Sequence, residues 1–235
     1  MRTTIILVHG AFAESSSWSA VARKLTDAGH HVIAYANPLR SIAEDAAGLT
    51  DLVRTIDGPI VLAGHSYGGA VLTNVPGDAG DITALVYVAA FALQAGEAPG
   101  QAAGLVPGGT LGETLERVPL TSGGADLYIA QDKYHVQFCA DLPAEEAALL
   151  AVTQRPVTES ALGEPSGATP LWTSVPSWFI FGDQDKNIPV GAHRIMAERA
   201  EAREVVEVEG ASHVVGNSHP SETAEVILRA VSGAA

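Results

Sequence analysis

Four short runs of apolar and β-branched residues alternate with helix patterns in the first ninety residues. The runs are TTIILV (3–8), HVIAYA (31–36), PIVLAG (59–64) and ALVYVA (84–89). Nearly continuous apolar runs are typical of strands that are covered on both faces of a parallel sheet. Between the second and third runs, Ser41 and Glu44 have the spacing of a capping box at the start of a helix. The βαβαβαβ order predicts a doubly wound, parallel α/β sheet with right-handed crossovers.

The same alternation returns near residue 175. SWFIFG (177–182) and EVVEVEG (204–210) predict a fifth and a sixth strand, and the apolar–polar alternation of the second is typical of an edge strand. Helix patterns begin at Pro189 and at Pro220. The sheet is therefore expected to contain six parallel strands with helices on both faces.

Residues 93–174 interrupt this pattern. They are rich in glycine and proline, as in PGGTLGE and LGEPSGATP, and contain one helix pattern, LPAEEAALLAVTQ (142–154). We expect a helical cap, residues 93–174, to be inserted after the fourth strand. The core domain is then formed by residues 1–92 and 175–235.

Charge and composition exclude several classes of function. The chain has 27 acidic and 13 basic side chains and a formal net charge of −14 at pH 7, which argues against nucleic acid and anionic membrane surfaces as partners. No apolar stretch is long enough to span a bilayer, and the first residues lack a signal-peptide pattern. We therefore expect a cytoplasmic protein.

No metal or cofactor is expected either. Cys139 is the single cysteine, so an intramolecular disulfide is excluded. His135 and Cys139 are two candidate metal ligands four residues apart, but no second pair accompanies them. The glycine-rich turn GHSYGG lacks the lysine of a phosphate-binding loop and the glycine spacing of a dinucleotide-binding turn.

Polar residues that could carry chemistry follow four of the predicted strands. In open parallel sheets, ligands bind beyond the carboxyl ends of the strands. The segments at those ends are HGAF (9–12), GHSYGG (64–69), GDQD (182–185) and GASH (210–213). A serine, a carboxylate and a histidine thus follow separate strands, in that order along the chain. Gly64-x-Ser66-x-Gly68 is the pattern of a nucleophile elbow, in which glycines allow neighbouring chains to approach a strained strand-to-helix turn.

A serine hydroxyl is a weak nucleophile and needs an adjacent base. His213 directly follows the last strand and is the predicted base, with His219 as its rival. His9 is expected to shape the first loop through hydrogen bonds, and His65 occupies the variable position of the elbow. Three histidines are discounted because they precede a strand or lie on a predicted surface helix: His30, His31 and His193.

Two aspartates compete to orient the histidine, and two loop amides compete to bind an oxyanion. Asp185 lies further into its loop and is favoured, whereas Asp183 has the position of a turn-capping residue. One oxyanion donor is expected to be the N–H of Tyr67, the residue after the nucleophile. The other is expected in the loop after the first strand, where Ala11 is the first choice and Phe12 the second.

These motifs resemble those of the α/β-hydrolase superfamily. More narrowly, the chain is similar to small bacterial esterases related to plant methylesterases of the salicylate-binding type and to hydroxynitrile lyases. The resemblance covers almost the whole chain and includes ILVHGAF, VLAGHSYGG, LVYVAAF, GDQDKNIP, VEGASH and the cap segment ADLPAEEAALLAVTQRP. It implies that Asp185 is the acid and Ala11 the first oxyanion donor. The lyases carry a threonine at the position of Gly10 and a lysine at that of Val214, so the resemblance implies ester hydrolysis rather than cyanohydrin cleavage.

The sequence therefore predicts a serine esterase for small to medium, mainly apolar carboxylic esters. Ser66 is the predicted nucleophile, His213 the general base and Asp185 the orienting acid. A lactonase, an amidase, a C–C hydrolase or a perhydrolase would use the same triad, and a hydrolase-fold ligand sensor is an alternative from another class. The oligomeric state stays open, with a homodimer among the options. Five aromatic residues are candidates to line the substrate pocket: Phe12, Phe91, Tyr128, Phe138 and Trp172.

Overall fold

The structure is a computed structural model, and it describes residues 3–233. Nine strands lie in this range: β1 (Thr4–Val8), β2 (His31–Tyr35), β3 (Ile60–His65), β4 (Ile82–Val88), β5 (Leu115–Pro119), β6 (Ala125–Ile129), β7 (Val157–Thr158), β8 (Ser177–Gly182) and β9 (Glu204–Val208).

Ten α-helices connect these strands within the same range. They are α1 (Ser19–Asp27), α2 (Ile42–Val53), α3 (Tyr67–Thr73), α4 (Pro99–Ala103), α5 (Gln131–Phe138), α6 (Ala144–Thr153), α7 (Glu159–Gly163), α8 (Val190–Arg199), α9 (Val215–Ser218) and α10 (Pro220–Gly233). Short 3₁₀ helices cover Ser15–Trp18, Leu111–Thr114 and Leu171–Thr173. None of the helices in the described part of the chain has the length and hydropathy needed to cross a lipid bilayer.

The main sheet contains the six predicted strands in the order β2-β1-β3-β4-β8-β9, and every neighbouring pair is parallel. The prediction of a six-stranded parallel sheet is thus confirmed. Strands β1, β3 and β8 are buried at every residue, as strands between two layers of helices must be. Helix α1 packs against α10, and α2 packs against α3.

The two edge strands are less buried than the central ones. Strand β9 alternates between half-buried and exposed residues, as its sequence predicts. The prediction that the run 31–36 is covered on both faces is wrong, because β2 forms the other edge and, among the described strands, pairs only with β1. His31 and Ala34 of this strand are exposed.

The segment between β4 and β8 contains more than helices. The predicted helix at 142–154 is present as α6, but β5, β6 and β7 also form a small antiparallel sheet. The sequence does not predict this sheet, because β5 (LERVP) is half-buried at its first residue and exposed at the others, and β7 has only two residues. Neither strand carries the apolar alternation by which a strand is recognised.

Charged side chains attach this inserted segment to the core. The Arg40 guanidinium donates to Asp126 Oδ1 at 2.7 Å, and Arg155 forms two hydrogen bonds with the Glu14 carboxylate at 2.9 and 3.1 Å. The Glu164 carboxylate accepts hydrogen bonds from the first two amides of α2, whose N-terminus is also capped by Ser41. The insertion is therefore held at the loops that follow β1 and β2.

A more buried ion pair lies at the start of the insertion. Arg199, the last residue of α8, forms two hydrogen bonds with the Glu97 carboxylate and donates to the carbonyl oxygen of Ala92 at 2.6 Å. The side chains of Arg199 and Glu97 are only 17% and 6% exposed. Glu97 also accepts from the amide of Gln94 at 3.0 Å, so this carboxylate organises the chain that leaves β4.

The substitution Glu97→Ala should lower the free energy of unfolding by about 3 kcal/mol, because it leaves the guanidinium of Arg199 largely buried without its partner. Urea unfolding followed by circular dichroism measures this change. The control is Glu159→Ala, which breaks an ion pair with Arg117 whose two side chains are about half exposed, and it should leave stability unchanged within error. Equal losses in the two variants would contradict the importance that we assign to Glu97.

Candidate active site

Ser66 lies on a sharp turn between β3 and α3, with φ 52° and ψ −122°. A non-glycine residue in this conformation is strained by about 1–3 kcal/mol and persists only where packing enforces it. The enforcing contacts involve glycines: a Cβ on Gly68 would lie 2.3 Å from the carbonyl oxygen of Val8, and one on Gly64 would lie 2.7 Å from the carbonyl carbon of Gly68. The elbow pattern in the sequence therefore corresponds to a tightly packed turn.

Asp185 and His213 form a buried pair at the ends of β8 and β9. His213 Nδ1 and Asp185 Oδ2 are 2.7 Å apart, and both side chains are almost completely inaccessible to solvent. Asp185 Oδ1 accepts hydrogen bonds from the amides of Asn187 and Ile188 at 2.8 and 3.0 Å. The competing Asp183 instead accepts a hydrogen bond from the Gly210 amide at 2.7 Å and joins the two loops.

The electrostatics of this pair favour the charged carboxylate. Burial raises the pKa of Asp185, but the charge of His213 and the hydrogen bonds from His193 and His213 outweigh it and hold this pKa well below its usual range. At neutral pH Asp185 is therefore an acceptor only, and His213 Nδ1 must carry the hydrogen that it donates. The Nε2 atom of neutral His213 is then left with a lone pair, as a general base requires.

Two backbone amides near Ser66 lack an acceptor within residues 3–233. The N–H groups of Ala11 and Tyr67 make no hydrogen bond with any residue in the range 3–233, whereas the N–H of Phe12 donates to the carbonyl oxygen of Arg155 at 3.0 Å. Ala11 and Tyr67 line the same cavity as Ser66 and His213. This arrangement favours Ala11 over Phe12 as a donor to an oxyanion.

His9 sets the direction of the Ala11 amide. The amide of Asn37 donates to His9 Nε2 at 3.0 Å, so the ring hydrogen is on Nδ1, which donates to the carbonyl oxygen of Gly10 at 3.0 Å. Burial lowers the pKa of His9, which keeps the ring neutral. In a trans peptide the C=O and the N–H point in opposite directions, so a bond to Gly10 O orients the N–H of Ala11. His9 thus shapes this loop as the sequence predicts.

The Ser66 hydroxyl has no hydrogen-bond partner in the described residues, and His213 is its neighbour in a small, mostly apolar cavity of about 60 Å³. Phe12, Phe91 and Phe138, three of the predicted lining residues, border this cavity. Further apolar side chains that the sequence did not single out complete its wall: Pro99, Ala103, Leu111, Leu162 and Ile188. Most of them belong to the insertion.

Two predicted lining residues, Tyr128 and Trp172, do not border this cavity. Trp172 donates its indole N–H to the carbonyl oxygen of Leu93 at 2.8 Å and packs against the core. Tyr128 lies on β6, where Leu127 and Ile129 are buried and the intervening tyrosine is half exposed. The direction of the Tyr128 side chain depends on the sheet of β5, β6 and β7, which the sequence does not predict.

The placement of His193 on a surface helix is also wrong. Its side chain is fully buried, its Nε2 lies 3.1 Å from Asp185 Oδ2, and its ring stacks on Phe181 with centroids 4.7 Å apart. A signal for this burial exists in the sequence, because Ala192, His193, Met196 and Ala197 have the spacing of one helix face. All four are buried.

Of two other histidines near the site, His65 contacts His213, whereas His219 does not border the cavity. His65 Nε2 donates to the backbone carbonyl oxygen of His213 at 3.0 Å, and burial lowers the pKa of His65 to about 3. His65 is therefore neutral and supports the loop that carries His213, a contact that the sequence does not indicate. His219, the rival base, contacts Ser218 Oγ at 2.9 Å and does not border the cavity.

The chain was compared with known proteins. A family model described as the alpha/beta hydrolase family matches residues 5–226. A curated protein, "Esterase PIR7B" of Oryza sativa subsp. japonica, is 26% identical over 251 residues, which cover 95% of this chain and 94% of that protein.

Solved structures show the same fold. Polyneuridine aldehyde esterase superimposes with a TM-score of 0.79 at 20% identity, covering 97% of this chain and 99% of that chain. The methylesterase MES16 from Arabidopsis gives a TM-score of 0.77 at 20% identity, with 98% and 99% of the two chains covered. Because the family model spans nearly the whole chain, this protein is an enzyme that belongs to the alpha/beta hydrolase family.

Proposed function

We propose that this enzyme hydrolyses carboxylic esters through an acyl-enzyme on Ser66. The observation that carries this proposal is the convergence of three features on one cavity: a strained serine without a hydrogen-bond partner among the described residues, a histidine paired with a buried carboxylate, and two amides without acceptors in that part of the chain. The esterases among the relatives support the same reaction class.

The reaction divides into two steps. Ser66 Oγ attacks the ester carbonyl while His213 Nε2 takes its proton, and the Ala11 and Tyr67 amides stabilise the negative oxygen of the tetrahedral intermediate. His213 then passes the proton to the leaving alcohol. In the second step water, activated by His213, attacks the acyl-enzyme and releases the acid. Asp185 orients the imidazole and stabilises its protonated form throughout.

The cavity supports mainly apolar substrates. Among the described lining residues there is no Asp, Glu, Lys or Arg, so a charged substituent would lose its hydration without gaining an ionic partner. We also propose that residues 93–174 act as a cap that selects the substrate, since this segment supplies Pro99, Ala103, Leu111, Phe138 and Leu162 to the wall.

A wider, open vestibule adjoins the inner cavity. It has a volume of about 550 Å³, and its lining comes from residues 100–115 and from Asn187. Four residues line both spaces: Gly100, Ala103, Leu111 and Asn187. Since the inner cavity holds only a small group, we propose that the larger half of a medium-sized ester extends into this vestibule.

The substitutions Ser66→Ala and His213→Gln should each lower kcat on 4-nitrophenyl butyrate by at least about 10³-fold, because the nucleophile and the base act as a unit. His219→Gln is the matched control and should leave kcat unchanged. Labelling with a fluorophosphonate, followed by peptide mass spectrometry, should find the adduct on Ser66. Label on another residue, or activity that survives in Ser66→Ala, would overturn the mechanism. One slow turnover without a steady state would favour a ligand sensor.

Narrowing the vestibule should change substrate selection. Gly112 lines the vestibule, and a Cβ at this position would meet no heavy atom of residues 3–233 within 4 Å, so Gly112→Phe adds a bulky side chain beside the vestibule without a clash at Cβ. We expect kcat/KM for octyl acetate or methyl octanoate to fall about 10-fold while that for ethyl acetate is unchanged. Gly163→Phe is the control, since this glycine has equally open surroundings and does not line the vestibule. If both long esters are unaffected, they do not use the vestibule.

A further inference from the structure

The carboxylate of Asp185 receives four hydrogen bonds, and the mechanism above uses only one of the donors. Two backbone amides donate to Oδ1. Two imidazoles meet at Oδ2: His213 Nδ1 at 2.7 Å and His193 Nε2 at 3.1 Å. His193 thus shares with His213 the oxygen through which Asp185 acts in the proposed reaction.

The protonation state of His193 follows from its surroundings. The ionised carboxylate of Asp185 can only accept, so His193 Nε2 must carry a hydrogen. Burial lowers the pKa of His193, and the neighbouring charge of Asp185 only partly offsets this effect. His193 Nδ1 is buried without a partner in the described chain, so a second hydrogen there would be an unsatisfied donor. His193 is therefore neutral and gives Asp185 one N–H without adding a charge.

His193 is also held rigidly. Helix α8 begins directly after the loop that carries Asp185, and His193 lies in its first turn. The ring is fully buried and lies almost parallel to Phe181 of β8, with an interplanar angle of 12°. The terminal torsion of an aspartate is intrinsically soft. With the amides of Asn187 and Ile188 on one oxygen and His193 on the other, the carboxylate is fixed in the orientation that meets His213.

We propose that His193 is a positioning residue for the triad: it holds Oδ2 of Asp185 towards His213 and withdraws charge from that oxygen. This proposal rests on the proposed function. A donor on Oδ2 takes up part of the negative charge that this oxygen presents to the imidazole of His213. Two further titratable groups lie close to the pair in the described chain: His65, at the end of β3, and Asp141, which accepts a hydrogen bond from Ser212 beside His213.

Two substitutions distinguish the effect of the His193 N–H from the effect of the packing of its ring. His193→Phe keeps an aromatic ring against Phe181 and removes the donor. His193→Gln keeps an N–H at about the distance of Nε2 and removes the ring. We expect His193→Phe to lower kcat about 10-fold and to move the acid limb of the kcat/KM profile to higher pH by about half a unit. His193→Gln should restore both quantities to within about twofold of wild type.

The hydrogen bonds can also be observed without substrate. Low-field ¹H NMR of the wild-type protein should show the imidazole N–H protons of His193 and His213 on Asp185. In His193→Phe the first signal should disappear and that of His213 should shift, whereas thermal unfolding should report a folded protein. The control is Arg194→Gln, an exposed neighbour on α8 that pairs with Glu207, and it should change neither the spectrum nor the pH profile.

The outcomes separate the two proposals. An unchanged acid limb and an unshifted His213 signal in a folded His193→Phe protein would show that His193 serves packing alone. Equal losses in His193→Gln and His193→Phe would show the same. If the NMR signals change as expected but the wild-type enzyme does not turn over esters, the positioning role stands and the proposed function fails.

Discussion

A carboxylate buried away from water is stable only where hydrogen-bond donors surround it. Asp185 is such a carboxylate, so the elements around it must supply these donors. The loop after β8 folds back so that two of its own amides meet one carboxylate oxygen. Helix α8 begins after this loop and places His193 beside the other carboxylate oxygen. The same oxygen contacts His213, which follows β9. One buried charge therefore joins two strand ends and the first turn of a helix.

The Ser66 side of the site is organised by close backbone contact instead of charge. The strained conformation of Ser66 is held because α3 lies directly against the end of β1, where only a glycine fits at position 68. The loop after β1 approaches equally closely: a Cβ on Gly10 would lie 2.6 Å from the Cβ of Ser66. This contact places the next amide, that of Ala11, beside the hydroxyl. The same packing thus brings together Ser66 and an amide that has no acceptor among residues 3–233.

The sequence predicts those features that depend on local pattern and on the direction of the strands. Burial on both faces gives the central strands their continuous apolar runs, and parallel strands bring Ser66, Asp185 and His213 to one edge of the sheet. His193 could not be placed in the same way. Its contact with Asp185 depends on which face of α8 turns towards β8, and a histidine next to Arg194 looks like a surface residue unless the spacing of its buried neighbours is considered.

The insertion is the part of the fold that the sequence predicts least, for a physical reason. Its strands are short and partly exposed, and the segment is held by ion pairs with core residues such as Arg40 and Glu14, which are distant in sequence. The local spacing of apolar and polar residues in the sequence does not indicate such long-range contacts. The same segment supplies six of the fourteen described residues that line the cavity around Ser66, so the strand-end motifs carry only part of the information about cavity shape. We therefore propose that the strand-end residues determine the reaction type, whereas the insertion contributes to the size of the substrate that is accepted.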